Sequence, residues 1–319
     1  MPYKVSVVVP THNERENVAR LHERLAKVFA ALPDADFELI FCDDSGNDTP
    51  AVVAGLHEKD PRVKLVRLSR RHGQSVAISA GIDHASGDAI VLMDADLQDP
   101  PEALPRLIEK WRAGAKVVYV RRPSGEGHGA AYRWLAFAFY RIVNKLSSTP
   151  VPVDVGEFRL LDRKVARVLS SLPEHTRYLR EMTVWPGFQQ ASVDIERAPR
   201  AGGDTKYDLW RSTKVAVDGI ISSSIIPLRL AVWTGVIVSS VSFLMGLFYF
   251  VWKLLYPSML GVGWTSLFLT LLFMGGLQLI FLGVIGEYVG RIFIEVRGRP
   301  LYVVDYCLGL DERRPGALP

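Results

Sequence analysis

The chain has 319 residues, of which 49% are hydrophobic, and its formal net charge at pH 7 is +4. So small a charge does not indicate nucleic-acid binding, and we expect no nucleic-acid partner. The two cysteines, Cys42 and Cys307, lie in separate regions, which argues against a disulfide framework and fits a reducing compartment.

The first 120 residues alternate between strand and helix patterns. Apolar or β-branched runs predict strands at residues 4–10, 37–43, 63–67, 88–93 and 116–120. Helical patterns lie between them, at residues 15–31, 49–60, 73–85 and 101–113. This alternation predicts an α/β fold with a mainly parallel sheet covered on both faces. We place the domain at residues 1–215.

Polar side chains follow three of the predicted strands, where each strand ends. They are Thr11, Asn13 and Glu14, then Asp43 and Asp44, then Asp94 and Asp96. Ligands bind beyond the carboxyl ends of the strands in open α/β sheets, so we expect these groups to line one crevice. Two carboxylates at a strand end suit a divalent ion that also holds phosphate oxygens, which predicts Mg²⁺ or Mn²⁺ at Asp94 and Asp96.

These acidic motifs also have plainer structural explanations. Asp99 precedes two prolines and Glu102, which is typical of a helix N-terminus, and helix capping is an alternative for Asp96 as well. The loop DDSGND can form an Asx turn and a helix cap instead of binding a base or ribose. The sequence leaves these alternatives open.

Two stretches without a charged residue lie at residues 230–252 and 264–286. At about 1.5 Å per residue each is long enough to cross a bilayer core; buried helices of a soluble core are the alternative. We predict a juxtamembrane helix at 216–228, transmembrane helices at 229–253 and 264–290, and a tail at 291–319. Arginines and lysines flank the pair on its outer sides, so the positive-inside rule places both termini and the N-terminal domain in the cytoplasm.

Two further patterns indicate contacts with the membrane or with a second copy. Residues 130–147 combine aromatic and apolar side chains with interspersed cations, which fits either an amphipathic interfacial helix or a core helix. Gly275 and Gly276 in the second span allow close approach of two helices, so a homo-oligomer is a further expectation.

Four strings resemble the family 2 glycosyltransferases of the GT-A fold. They are VVVPTHNERENV, DDSGNDTP, HGQSVAISAGIDHASGD and MDADLQDPPE. With the two C-terminal spans, the chain is similar to the polyisoprenyl-phosphate glycosyltransferases, a group that includes bactoprenol glucosyltransferases and dolichol-phosphate mannose synthase. The resemblance covers nearly the whole chain.

The resemblance implies a nucleotide-sugar-binding GT-A domain and a two-helix transmembrane hairpin in a bacterial cytoplasmic membrane. The implied reaction transfers a hexose, with glucose from UDP-glucose favoured, to a polyisoprenyl phosphate such as undecaprenyl phosphate. It is an inverting, metal-assisted displacement. GDP-mannose or an amino-sugar donor is one alternative, and a membrane protein that binds nucleotide-sugar without catalysing transfer is another. Processive synthases carry a QxxRW element and more spans, and the sequence has neither.

The resemblance also implies roles for individual residues. The donor-binding residues are Pro10, Thr11, Asn13, Glu14, Asp43, Asp44, Gly73, Asp94, Gln98 and Arg122. The catalytic residues are Asp96, Glu157 and Arg159, with Asp94 and Asp96 as metal ligands and Arg159 in contact with phosphate. The lipid phosphate or donor diphosphate would contact Arg200, Lys206 and Arg211. Attraction to anionic head groups explains these last cations equally well.

One position departs from the family pattern. The segment DVGEFRLLDRKV resembles the family's DxGDFR-type segment, but Glu157 stands where the pattern has Asp. The added methylene moves the carboxylate by roughly 1.5 Å. A lipid monophosphate is mostly dianionic at pH 7 and needs little help from a base. We therefore expect Glu157 to act chiefly by position near the metal, with general base as its second role.

Overall fold

The computed structural model describes residues 2–121, 155–195, 226–255 and 263–310. Within them, the strands of one eight-stranded sheet are β1 (Tyr3–Thr11), β2 (Ala35–Asp43), β3 (Val63–Leu68), β4 (Ala89–Leu92), β5 (Val117–Arg121), β6 (Val155–Asp162), β7 (Gln190–Asp194) and β8 (Val304–Leu308). The helices of the same residues are α1 (Arg15–Ala30), α2 (Thr49–His57), α3 (Gln74–His84), α4 (Leu104–Arg112), α5 (Arg163–Ser171), α6 (Leu179–Met182), α7 (Ile226–Leu255) and α8 (Trp264–Val296). A 3₁₀ turn at Pro101–Ala103 precedes α4.

The sheet has the strand order β7-β5-β6-β4-β1-β2-β3-β8. β1 pairs in parallel with β2 and β4, and β2 pairs in parallel with β3. The carboxyl ends of these four strands therefore meet at one edge of the sheet, which we call the carboxyl edge. β6 runs antiparallel between β4 and β5, so its first residues lie at the same edge. The predicted α/β fold with a mainly parallel sheet is confirmed.

Apolar side chains of β1 alternate between the two faces of the sheet. Val7 packs on one face with side chains of α1 and α4, and Val8 packs on the other with side chains of α3 and α5. α3 lies so close to the sheet that a Cβ at Gly81 would meet Val8 Cγ1 at 2.3 Å and Cys42 Sγ at 2.6 Å. The absence of a side chain at Gly81 thus lets α3 pack tightly on β1 and β2, with its first residues at the carboxyl edge.

The sheet is completed by a segment from beyond α8, where the sequence predicts a tail. Strand β8 pairs antiparallel with β3. Tyr302, just before it, is 1% exposed, and its hydroxyl donates to Asp83 Oδ2 at 2.8 Å. The Ser170 hydroxyl donates to the other oxygen of Asp83. Residues 302–308 therefore belong to the α/β domain rather than to a tail, because their side chains and backbone are paired with it.

Helices α7 and α8 contain two stretches long and apolar enough to cross a membrane, Leu228–Trp252 and Thr270–Val296. Their side chains are not buried, and Phe243, for example, is 71% exposed. So much exposed apolar surface disfavours the buried helices of a soluble core. The chain divides into two compact units, with α7 and α8 in one and the sheet with its helices in the other. The predicted helix at 130–147 and most of that at 216–228 lie outside the described residues.

A buried carboxylate near the opposite edge of the sheet predicts a pH-dependent stability. Glu38 is 1% exposed and accepts hydrogen bonds from Lys64 Nζ and from the Ser86 N–H, both at 2.7 Å. Burial raises the pKa of Glu38, but hydrogen bonds from Lys64, Ser6 and Ser86 outweigh it and lower the pKa from 4.5 to about 2. The ionised group therefore stabilises the fold above pH 4.5, and this contribution is lost as the pH falls toward 2.

Glu38→Gln is expected to lower the free energy of unfolding at pH 7 by about 3 kcal/mol, at about 1.4 kcal/mol per pKa unit. Thermal unfolding of the full chain in detergent, followed from pH 7 to pH 3, should show the gap between the variant and the parent narrowing below pH 4.5. A gap that stays constant over this range would contradict the assignment. Glu58→Gln, which changes an exposed carboxylate, is the control and should behave like the parent.

Candidate active site at the carboxyl edge

Asp44 ties together the loops that follow β1, β2 and β3. Its carboxylate is 2.9 Å from His12 Nδ1 and accepts the backbone N–H groups of His72 and Gly73, both at 2.9 Å. Gly73 has φ +93°, a conformation that glycine adopts without strain, and it directly precedes α3. Asp44 and Gly73, both predicted donor-binding residues, therefore fix where α3 begins at this edge.

Thr11 and Asp43 are also brought to the carboxyl edge, but beneath its surface. They are 2% and 0% exposed. The Asp43 carboxylate accepts from Thr11 Oγ1 at 2.9 Å and from Ser45 Oγ at 2.6 Å, and it forms an ion pair with Arg67. Because their polar atoms bond each other, these two residues shape the loop. Direct contact of either one with a nucleotide stays a prediction.

The end of β1 carries the more open candidates Pro10, Asn13 and Glu14. Asn13 is exposed, has φ +63°, and donates its N–H to Ser45 Oγ at 2.8 Å. Its side-chain oxygen accepts the Gly46 N–H at 3.2 Å. Asparagine tolerates the left-handed conformation better than most residues. The first two loops are thus joined while Asn13 stays accessible to a ligand.

The loop after β4 carries three aspartates at different depths. Asp99 is 2% exposed, Asp94 is half-buried and Asp96 is exposed. Asp94 Oδ1 accepts a hydrogen bond from Gln74 Nε2 of α3 at 2.6 Å. Asp96 Oδ1 accepts the backbone N–H of Gln98 at 3.0 Å, which closes a local turn. The predicted residues Asp94, Asp96 and Gln98 therefore lie together, and the turn orients Asp96.

Negative charge is concentrated around Asp94. Burial, then the charges of Asp99, Asp96 and Glu157, raise the pKa of Asp94 to about 6, against the opposing hydrogen bond from Gln74. Such a cluster of carboxylates gains from a bound cation. Among the described residues, no group of three or more His, Cys, Asp or Glu side chains is arranged to hold a metal. Asp94 and Asp96 supply oxygen ligands of the kind that Mg²⁺ or Mn²⁺ prefers, and their role as metal ligands stays a prediction.

Glu157 lies on β6, the strand that pairs with β4, close enough to Asp94 for its charge to act on that carboxyl group. Leu92 of β4 pairs with Arg159 of β6, and the charge of Glu157 is one of the causes that raise the pKa of Asp94. Glu157 Oε1 accepts a hydrogen bond from Arg180 Nε at 3.0 Å, and its Oε2 lies 3.3 Å from Arg159 Nη2. Two arginines thus orient the Glu157 carboxylate beside Asp94.

The Arg159 guanidinium is buried and is hydrogen-bonded within the described residues. It is 2% exposed and donates to Gly156 O at 2.8 Å, Thr183 Oγ1 at 2.9 Å, and the carbonyl oxygens of Leu179 and Glu157, both at 3.3 Å. With Glu157 Oε2, these acceptors occupy all five N–H groups of a guanidinium. Arg159 thus supports the Glu157 carboxylate from behind, and its direct contact with phosphate stays a prediction.

Two residues of the site were not identified from the sequence. Arg180 lies on α6, 23 residues after Glu157, and no local motif marks it. Gln74 belongs to the string HGQ but reads as the start of a helix. The predicted residues Arg122, Arg200, Lys206 and Arg211 lie outside the described residues.

The mainly parallel sheet and the acidic carboxyl edge are those of an α/β domain of the GT-A type, in a chain with two apolar C-terminal helices. The chain belongs to glycosyl transferase family 2, whose family model matches residues 6–169. This confirms the resemblance seen in the sequence motifs and makes the protein a glycosyltransferase.

Relatives match the chain over nearly its whole length. It is 40% identical over 315 residues to an uncharacterized glycosyltransferase of Synechocystis sp., with 98% of each chain covered. It is 39% identical over 302 residues to an SfII prophage-derived bactoprenol glucosyl transferase of Shigella flexneri, with 94% of this chain and 97% of the relative covered. Among solved structures, a mannosyltransferase of Pyrobaculum calidifontis in complex with GDP-Man and Mn²⁺ matches with a TM-score of 0.49 and 20% identity, covering 70% of this chain and 64% of that chain.

Proposed function

We propose that the protein transfers glucose from UDP-glucose to undecaprenyl phosphate and forms a lipid-phosphate-linked glucose. The observation that carries this proposal is the extent of the match to the bactoprenol glucosyl transferase of Shigella flexneri, which covers 94% of this chain. So long a match includes the α/β domain and most of the apolar C-terminal segment. The apolar helices support a lipid acceptor, because such a substrate stays in the bilayer.

The chemistry is a displacement at the anomeric carbon of the donor sugar. The acceptor phosphate is mostly dianionic at pH 7, and one of its oxygens forms the new bond to that carbon. The bond from the carbon to the donor diphosphate breaks, UDP leaves, and the configuration inverts. Because the acceptor oxygen has no proton to lose, Glu157 acts by position and charge rather than as a required base.

The residues of the carboxyl edge would hold the metal ion and bind the donor phosphates. When bound, Mg²⁺ or Mn²⁺ supplies positive charge that stabilises the departing diphosphate, and Asp94 and Asp96 would hold it. Gln74 orients Asp94 through its 2.6 Å hydrogen bond. The first turn of α3, which follows Gly73, offers backbone N–H groups that suit phosphate oxygens.

We infer that α7 and α8 span a bacterial cytoplasmic membrane with the α/β domain on its cytoplasmic side. Arg229 lies at the start of α7, Arg291 lies in the last turns of α8, and Arg297 and Arg299 follow. An excess of arginine beside both outer ends favours the cytoplasmic side for these ends. UDP-glucose is soluble and charged, so a cytoplasmic domain has direct access to it.

The test is transfer of radiolabelled glucose from UDP-glucose to undecaprenyl phosphate by the purified full chain in detergent. We expect lipid labelling and UDP release with Mg²⁺ or Mn²⁺, and neither with a chelator. Labelling from GDP-mannose or a UDP-amino sugar, but not from UDP-glucose, would correct the donor. Binding of nucleotide-sugar without transfer from any donor would refute catalysis and favour a binding protein.

The same assay in sealed membrane vesicles tests the orientation. A charged nucleotide-sugar does not cross the bilayer, so inside-out vesicles should label the lipid and right-side-out vesicles should not. The reverse pattern would place the α/β domain outside the cytoplasm.

A further inference from the structure

One side-chain nitrogen at the carboxyl edge is buried without a partner. His72 Nε2 is shielded from solvent and makes no hydrogen bond within the described residues. An unpaired buried polar group costs about 1–3 kcal/mol, and folded proteins pair nearly all such groups with protein or water. An unpaired nitrogen at the edge where an α/β sheet binds its ligand is placed to receive a partner from that ligand.

The backbone of His72 is held firmly in place. Its N–H donates to Asp44 Oδ2 at 2.9 Å, and the same oxygen accepts the Gly73 N–H at 2.9 Å. Asp44 is itself 6% exposed and contacts His12 Nδ1 at 2.9 Å. His72 therefore lies between the predicted donor-binding residues Asp44 and Gly73, on a loop that three strand ends hold together.

The charge state of the His72 ring limits which kind of ligand group can pair with it. Burial and the nearby charge of Arg70 lower the pKa of His72, against the opposing charge of Asp44. In a neutral imidazole one nitrogen donates and the other accepts, so Nε2 offers a single donor or a single acceptor. A neutral ring carries no charge to offset that of a diphosphate, whereas nucleobase edges and ribose hydroxyls are themselves uncharged. The ring therefore suits a nucleobase edge or a ribose hydroxyl better than a diphosphate.

We propose that His72 Nε2 forms a hydrogen bond with the nucleoside moiety of the nucleotide-sugar donor and contributes to its recognition. This inference rests on the proposed function, because binding of the donor is what brings a nucleoside to the carboxyl edge. It adds a residue that recognises the donor. His72 lies in the string HGQ, but the sequence motifs gave it no role.

His72→Phe tests the inference, because it keeps a planar ring and removes the polar nitrogen. UMP, UDP and UDP-glucose should each bind about tenfold more weakly to the full chain in detergent, as expected for one lost hydrogen bond. The factor should be the same for all three ligands, since they share the nucleoside. Without ligand, the variant should unfold at a higher temperature than the parent, because it buries no unpaired nitrogen. A purely structural role for His72 predicts a lower temperature instead.

His22→Phe is the matched control. His22 pairs with Asp60 Oδ2 at 3.0 Å, ahead of β3 and away from the carboxyl edge, so its replacement should leave nucleotide affinity unchanged. A loss for UDP and UDP-glucose but not for UMP would overturn the inference in favour of a phosphate contact. If the parent binds uridine or guanosine nucleotides and His72→Phe binds them equally well, the inference about His72 is wrong. The proposed function would stand in that case. A parent that binds no nucleotide would overturn the proposed function as well.

Discussion

Glu157→Asp is expected to lower kcat for sugar transfer about a hundredfold with little change in the affinity for UDP-glucose, since a misplacement of about 1 Å can have this effect. The shorter side chain withdraws its carboxylate by roughly 1.5 Å. This breaks the contact with Arg180 Nε, which is 3.0 Å long in the parent. The measurement is steady-state transfer by the full chain, with kcat and KM determined separately. Glu109→Asp, at an exposed position of α4, is the control.

The opposite result would be equally informative. The resemblance to family 2 leads us to expect Asp at this position, so a higher kcat after Glu157→Asp would show that Glu157 impairs this chain. The structure favours the first outcome, because Arg159 and Arg180 both contact the Glu157 carboxylate as it stands. The surrounding arginines therefore accommodate the longer Glu157 side chain. Its carboxylate does not disrupt the contacts among the described residues of this site.

Arg180 supplies a second test of this pairing. Arg180→Gln should lower kcat by a similar factor, since Glu157 would keep only its longer contact with Arg159. If the two residues act as a unit, the double variant Glu157→Asp with Arg180→Gln should be little worse than either single variant. Losses that multiply would show that Glu157 and Arg180 act independently and would contradict the pairing.

The fold could be predicted where apolar patterns repeat along the chain. The second strand is predicted at residues 37–43 and observed at Ala35–Asp43, and the first helix ends within one residue of its prediction. β8 could not be predicted in this way. It has five residues and pairs with β3, more than 200 residues earlier in the chain. A sequence pattern cannot distinguish so short an apolar segment from an unstructured tail, because the strand with which it pairs is remote in the chain.

The candidate site was predictable in part, for a related reason. Strand ends placed Asp44, Asp94 and Asp96 at one edge, because parallel strands all end there. Sequence does not show whether a carboxylate faces a ligand or the protein. The orientation of Asp43 depends on Arg67, which lies 24 residues away. Arg180 was missed for the same reason, since its role depends on a contact that only the folded chain creates.

Tyr302→Ala is expected to destabilise the α/β domain by about 3–5 kcal/mol, the usual cost of removing a large buried aromatic side chain. Tyr302 is 1% exposed and packs against the same face of the sheet as α3 and α5. Tyr302→Phe keeps the ring and should cost less, about 1–3 kcal/mol, because Asp83 loses one hydrogen-bond donor in a buried site. Thermal unfolding of the full chain in detergent measures both effects.

Tyr306→Ala is the matched control, since this tyrosine lies on β8 but is 39% exposed. It should cost no more than about 1 kcal/mol, the range of strand propensities. Equal losses for Tyr302→Ala and Tyr306→Ala would contradict a specific role for the buried ring. The expected difference would show that the α/β domain is complete only when the segment after α8 is in place. The chain must then pass through both apolar helices before the sheet closes at β3.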